Sequence, residues 1–203
     1  MLRKLFILFL LGALSGCSDT GKLQPLDTNA TILAFGDSLT YGTGASPNNT
    51  YPAVLERLIG RKVINAGIPG ELSRKGLLRL PRLINQHQPD LIILCHGAND
   101  FLRKLDLNQT RNNIQQMIDI AKQSNSQVVL IGVPEFSLFL NPSPIYQLLA
   151  QQNNIPLEKD SLANIVGNNS LKSDRVHPNS EGYRVLAEKI ALLLEHTGAI
   201  SPD

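Results

Sequence analysis

Apolar residues along this chain follow two alternating rhythms. Short β-branched runs of strand length fall at residues 31–35, 62–66, 91–95 and 128–133. Between them the apolar positions recur every three or four residues, the period of a helix with one buried side. Residues 51–59 place Val54, Leu55, Leu58 and Ile59 on one side, with Gly60 as a stop. Residues 73–87 read as a helix broken or restarted at Pro81. Residues 108–124 carry Ile114, Met117, Ile118 and Ala121 at helical spacing, a stripe that core packing explains. Residues 145–152 predict a short helix, 154–157 a fifth strand at a sheet edge, and 160–175 a short helix with a loop. The last helix, 179–196, has Asn179 to cap it, the stripe Val185, Leu186, Ile190 and Leu193, and Gly198 to end it. Residues 91–95 form the most apolar strand and are expected at the sheet centre. Strands alternating with helices predict an α/β fold: a three-layer α/β/α sandwich around a mostly parallel sheet of about five strands.

The first thirty residues stand apart from this pattern. Arg3 and Lys4 precede an apolar run, residues 5–14, that is too short to span a bilayer comfortably. The run ends in Leu14-Ser15-Gly16-Cys17, which resembles the lipobox of bacterial lipoproteins. That resemblance implies cleavage before Cys17, acylation of its thiol and new amino terminus, and a membrane anchor of several chains. Ser18 in place of an Asp after the cysteine points, by the sorting rule of such proteins, to the outer membrane of the bacterial envelope. Residues 1–16 are thus expected as a lipoprotein signal peptide. Residues 17–30, polar and aperiodic with Gly21 and Pro25, are expected as the lipidated terminus and a tether, and 31–203 as a single folded domain.

Composition narrows the partners. The 203 residues are 42% apolar, enough for a proper core. Removing residues 1–16 takes two basic and no acidic side chains, leaving seventeen of each sign. Near-neutral charge without a basic cluster argues against nucleic acid. With Cys17 lipidated, Cys95 is the only thiol left, so no internal disulfide can form, and its place at the end of an apolar run suggests inert packing. His87, His96 and His196 show no ligand spacing, so no metal is expected; His96 is expected to make an interior or rim hydrogen bond. Gly42-Thr43-Gly44 continues into neither a dinucleotide fingerprint nor a phosphate loop, and no cofactor is expected.

The candidate chemistry sits where strands end. Gly36-Asp37 breaks the first strand, and Ser38 follows at the carboxyl edge, where open α/β folds place ligands. The loops after Phe35, Ala66 and Cys95 share that edge and would deliver Ser38, Gly70 and Asn99 to one place. A fourth loop, before the last helix, brings Asp174-Arg175-Val176-His177.

This set resembles the SGNH (GDSL) hydrolases. Gly36-Asp37-Ser38-Leu39 matches their nucleophile block, Gly70 the glycine block, Gly97-Ala98-Asn99-Asp100 the asparagine block, and Asp174 with His177 the Asp-x-x-His block. The likeness extends to the bacterial thioesterase I, lysophospholipase and arylesterase type through Asn65-Ala66, Gly76-Leu77, Arg79-Leu80-Pro81 and Gln86-His87-Gln88-Pro89. It implies a serine esterase acting on acyl esters or thioesters, lysophospholipid-like substrates included, through an acyl-enzyme. The required chemistry fits the residues: Ser38 as nucleophile, His177 as the base that takes and returns its proton, and Asp174 steadying the imidazole. The resemblance assigns the oxyanion donors to the Ser38 N–H, the Gly70 N–H and the Asn99 amide, with Gly67 a weaker candidate for the glycine. The same site would serve an O-deacetylase of cell-wall or surface polysaccharide, and an inactive binding lipoprotein could keep the fold. A monomer is expected. The apolar loop 135–140, with Phe136, Leu138, Phe139 and Leu140, would either line an acyl groove or fold onto the core.

Overall fold

A computed structural model describes residues 21–135 and 141–201. Five strands form one parallel sheet: β1 (Thr31–Gly36), β2 (Lys62–Gly67), β3 (Leu91–Cys95), β4 (Gln127–Ile131) and β5 (Leu157–Glu158), in spatial order β2-β1-β3-β4-β5. The runs 32–35 and 91–95 are buried throughout, as a sheet covered on both faces demands. On one face α2 (Tyr51–Ile59) packs against α8 (Ser180–Thr197), joined by α7 (Ser161–Gly167). On the other, α3 (Ser73–His87) packs against α5 (Leu107–Gln123), with α6 (Pro144–Asn153) beside it. This is the expected α/β/α sandwich with the expected central strand.

Strand register decides where the exit loops begin. Gly36, the last residue of β1, pairs with Gly67 at the end of β2 and with Cys95 at the end of β3. Three strands therefore stop at one level, and their exit loops start from a common shelf. Two short helices rise from it, α1 (Ser38–Tyr41) and α4 (Ala98–Leu102). Neither is visible in the apolar pattern, because four or five residues complete hardly more than one turn of periodicity.

Three expectations change. Pro81 does not divide α3, which runs unbroken through it; the ring lies on the exposed side of the helix. β4 ends at Ile131 and β5 begins only at Leu157. Above all, the expected tether is docked from Gly21 onward. Leu23, Leu26 and Ala30 are buried in the common core. The Leu23 and Leu26 amides donate to the carbonyls of Thr197 and Ala199 at 2.9 and 2.8 Å. Two leucines three apart, with their backbone paired to the end of α8, make this segment part of the domain. Two apolar positions among polar neighbours around Pro25 are too few to give a periodic signal. Residues 1–20, Cys17 among them, and the apolar stretch 136–140 lie outside the described residues.

Candidate active site

The sheet order reverses between β1 and β3, so the chain leaves these neighbouring strands in opposite directions and opens a crevice at their carboxyl ends. Ser38 sits there as the first residue of α1, only 8% exposed. Asp37 caps that turn, accepting a hydrogen bond from the Leu39 N–H at 3.1 Å. Its carboxyl is fully buried, and burial raises it above the ordinary aspartate range.

The loop before α8 meets Ser38 from across the crevice. Asn179 caps α8 by accepting from the Gly182 N–H at 3.0 Å, and the Ser173 N–H donates to the His177 carbonyl at 2.9 Å. The Tyr183 hydroxyl donates to the Thr43 carbonyl at 3.0 Å, tying α8 to the loop after α1. Within this frame His177 Nε2 lies 3.0 Å from Ser38 Oγ, and His177 Nδ1 lies 2.7 Å from Asp174 Oδ2. A carboxylate only accepts, so Nδ1 carries the ring proton and Nε2 is free to accept from the serine hydroxyl. The other carboxylate oxygen of Asp174 accepts from the Val176 and His177 amides, both at 2.8 Å. Burial by itself raises the Asp174 carboxyl, but these two amides and the imidazole outweigh it and hold the group below the usual aspartate value.

Gly70 and Asn99 flank the same crevice. Gly70 adopts φ +76°, has open space where a side chain would stand, and its N–H finds no acceptor among the described residues. Gly67 is different: its N–H is held by Asn65 Oδ1 at 3.0 Å, and a Cβ there would stand 2.0 Å from the Tyr41 nitrogen. Gly67 lets β2 and α1 approach; Gly70 has the unengaged donor. Asn99 donates one amide hydrogen to the Glu71 carbonyl at 3.1 Å, which leaves the other for a ligand. Ser38, Gly70, Asn99 and His177, with Leu39, Thr43, Pro69, Ala98, Leu102 and Val176, line a cavity of about 270 Å³. A larger hollow of about 550 Å³ lies beside β2 around Tyr41 and Pro52 and contains none of these polar groups.

Beneath the glycine and asparagine lies a polar cluster that the sequence patterns did not reveal. Arg79 on α3 donates to Glu71 through Nε at 3.0 Å and Nη2 at 2.6 Å. The same Nη2 donates to the Ala66 carbonyl at 3.0 Å and the Gly36 carbonyl at 3.4 Å, and the guanidinium sits 4.3 Å above the Phe35 ring. His96 is fully buried and hydrogen-bonds Glu71 from Nε2 at 3.2 Å, the interior role expected of it. Burial raises the Glu71 carboxyl, yet the His96 and Arg79 hydrogen bonds outweigh that and leave it below its ordinary value. The available signal was positional: Arg79 falls three after Gly76 and four before Leu83, on the inward side of a helix. Asp100 faces elsewhere, accepting from the Ser73 N–H at 2.8 Å and its hydroxyl at 2.6 Å, and so ties α4 to α3.

A match to the GDSL-like lipase/acylhydrolase family covers residues 34–185, three-quarters of the chain and every group just described. The chain belongs to this family. As an SGNH hydrolase it is 31% identical over 173 residues to the thioesterase 1/protease 1/lysophospholipase L1 of Escherichia coli K12, across 81% of this chain and 83% of that protein. It is likewise 31% identical over 171 residues to an arylesterase of Vibrio mimicus, across 79% and 86%. The crystal structure of TesA superposes with a TM-score of 0.75 at 27% identity, across 82% of this chain and 99% of that one. This SGNH hydrolase is accordingly a serine carboxyl-ester hydrolase of the esterase, thioesterase and arylesterase type. The described residues contain no group of three His, Cys, Asp or Glu side chains placed to hold a metal. Cys95 is a free, fully buried thiol that burial keeps well above its ordinary pKa.

Proposed function

We propose that this hydrolase cleaves acyl oxygen esters or thioesters of lysophospholipid-like substrates, with Ser38 as nucleophile, His177 as base and Asp174 as its partner. The observation that carries the reading is the unbroken relay Ser38–His177–Asp174, at 3.0 and 2.7 Å, opening into a cavity shared with Gly70 and Asn99. The Ser38 hydroxyl passes its proton to His177 Nε2 as Oγ bonds to the acyl carbon. The carbonyl oxygen becomes an oxyanion held by the Ser38 and Gly70 N–H groups and the free Asn99 amide hydrogen. Collapse breaks the bond to the leaving alcohol or thiol, which takes the proton from Nε2. Water then attacks the acyl-enzyme by the same route, giving a carboxylic acid and restoring Ser38. Pro69, Leu102 and Val176 give the cavity apolar walls suited to an acyl chain.

Hydrolysis of p-nitrophenyl acetate, butyrate and octanoate, with Ser38→Ala as the blank, tests the reading. Release with the longer esters, reduced about 10⁴-fold or more in the variant, is expected. Activity on acetate alone would favour a deacetylase instead, and release equal in both proteins would leave only a binding role.

The anchor forms part of the proposal: the lipobox-like Leu14-Ser15-Gly16-Cys17 supports a chain cleaved before Cys17 and held by acyl groups in the bacterial envelope, at the outer membrane by the residue after it, Ser18.

A further inference from the structure

The chain enters the domain at the pole opposite the active site. Gly21 runs so close to the turn between α6 and β5 that a Cβ on it would stand 2.3 Å from the Asn154 carbonyl oxygen. From there Gln24 exchanges hydrogen bonds with the side chain of Gln127, the first residue of β4, at 2.6 and 3.0 Å. Leu23 and Leu26 pair with the end of α8 and the residues just beyond it, and Arg61, just before β2, donates to the Leu26 and Asp27 carbonyls at 3.2 Å each. The segment therefore crosses under the amino ends of β5, β4 and β2 before turning up into β1. Ser38, Gly70 and Asn99 follow the carboxyl ends of β1, β2 and β3. The six residues of β1 alone set the two levels about 20 Å apart, before the loops that rise above Ser38 are added.

Only residues 18–20 separate Cys17 from Gly21. Four Cα steps reach at most about 14 Å when pulled straight. To lay the catalytic mouth on the leaflet that holds Cys17, Gly21 would have to stand more than the height of the sheet from that surface. Its chain is too short. Resting on the proposed anchor at Cys17, we infer that the acyl chains seat this hydrolase with its amino-end pole against its own membrane and its catalytic mouth turned away. Its substrates are then acyl esters that arrive from the aqueous side or on another surface, as monomers, micelles or acyl groups on other molecules. Lipids embedded in the anchoring leaflet are out of reach. The docking of Leu23 and Leu26 fixes this geometry, because a free tether of residues 17–30 would have let the domain turn over.

The test uses the protein purified from membranes of the expressing bacterium and reconstituted into phospholipid vesicles. The reporter is a two-chain phospholipid with a fluorogenic acyl ester at the glycerol level, its acyl group the one cleaved fastest in the p-nitrophenyl series. Hydrolysis of the embedded reporter, less that of the same reporter in protein-free vesicles added to the suspension, is divided by that of the matching soluble ester. The comparison protein has forty Gly/Ser residues inserted between Thr20 and Gly21, a coil of about 35 Å end to end. The insertion is expected to raise the ratio at least about tenfold while leaving the soluble rate unchanged. An equal ratio in both proteins, with the reporter cleaved by both in detergent micelles, would overturn the inference. The mass of the amino-terminal peptide reports separately on the anchor. Were it unlipidated, the anchor proposal would fail, and coupling the Cys17 thiol to a maleimide lipid would still decide the geometry, since Cys95 is buried.

Discussion

Asn99 contributes one N–H to the crevice, because its other amide hydrogen is already held by the Glu71 carbonyl. Asn99→Ala should therefore remove a single oxyanion donor, lowering kcat about 10²–10³-fold with KM nearly unchanged in steady-state ester hydrolysis. Asp174 gives a prediction in pH. Its folded-state pKa is depressed below the unfolded value of about 3.9, so the unfolded chain takes up the proton first. The stabilisation is complete above the unfolded pKa and disappears as pH falls through the folded one. Urea midpoints of the wild type and Asp174→Asn, measured from pH 7 down to pH 2.5, should differ at neutral pH and converge in acid; a gap constant across the range would contradict this. Ser38, Gly70, Asn99, Asp174 and His177 were all legible in the sequence because the blocks that contain them resemble those of the SGNH hydrolases and follow strand ends or precede the last helix. Glu71 was not, and Arg79 stood out only within the Arg79-Leu80-Pro81 likeness and on the inward side of a helix, since the cluster works through backbone carbonyls and a neighbouring carboxylate.

At the scale of elements, Arg79 joins α3 to the ends of β1 and β2 and to the loop that contains Gly70. It thus holds the strand ends and the loop from which the proposed oxyanion donor Gly70 is presented, without reaching the cavity itself. Arg79→Met should lower kcat about 10–10²-fold at little change in KM, and Arg79→Lys should not restore it, because one ammonium cannot replace a planar fork shared among four acceptors. A purely structural role would instead reduce the amount of folded protein and leave kcat per folded molecule intact. The segment 21–30 is the element that composition misplaces: its polar character hides two core leucines. Leu23→Ala should destabilise the domain by about 2 kcal/mol or more in urea unfolding, where a tether residue would have no effect. Pro81 shows the converse: its ring breaks a sequence pattern without breaking the helix, and it lies on the solvent side.

The whole molecule is what joins residue 38 to residue 177. The order of strands and helices was legible from periodicity alone, because a covered parallel sheet demands short continuous apolar runs and its helices demand one-sided stripes. Their common edge followed from parallelism. What periodicity could not supply was the level at which β1, β2 and β3 stop, a matter of register shown only by the pairing of Gly36 with Gly67 and Cys95. That register, with the capped start of α8, brings two side chains 139 positions apart to hydrogen-bonding distance. The most direct measurement is the intact mass and peptide map of the protein after brief treatment with an alkyl fluorophosphonate, a reagent that phosphonylates only an activated hydroxyl. A single adduct on Ser38, absent from Ser38→Ala and strongly slowed in His177→Ala, is the expected result. An adduct at another residue, or labelling of Ser38 at the same rate without His177, would contradict the relay on which the function rests.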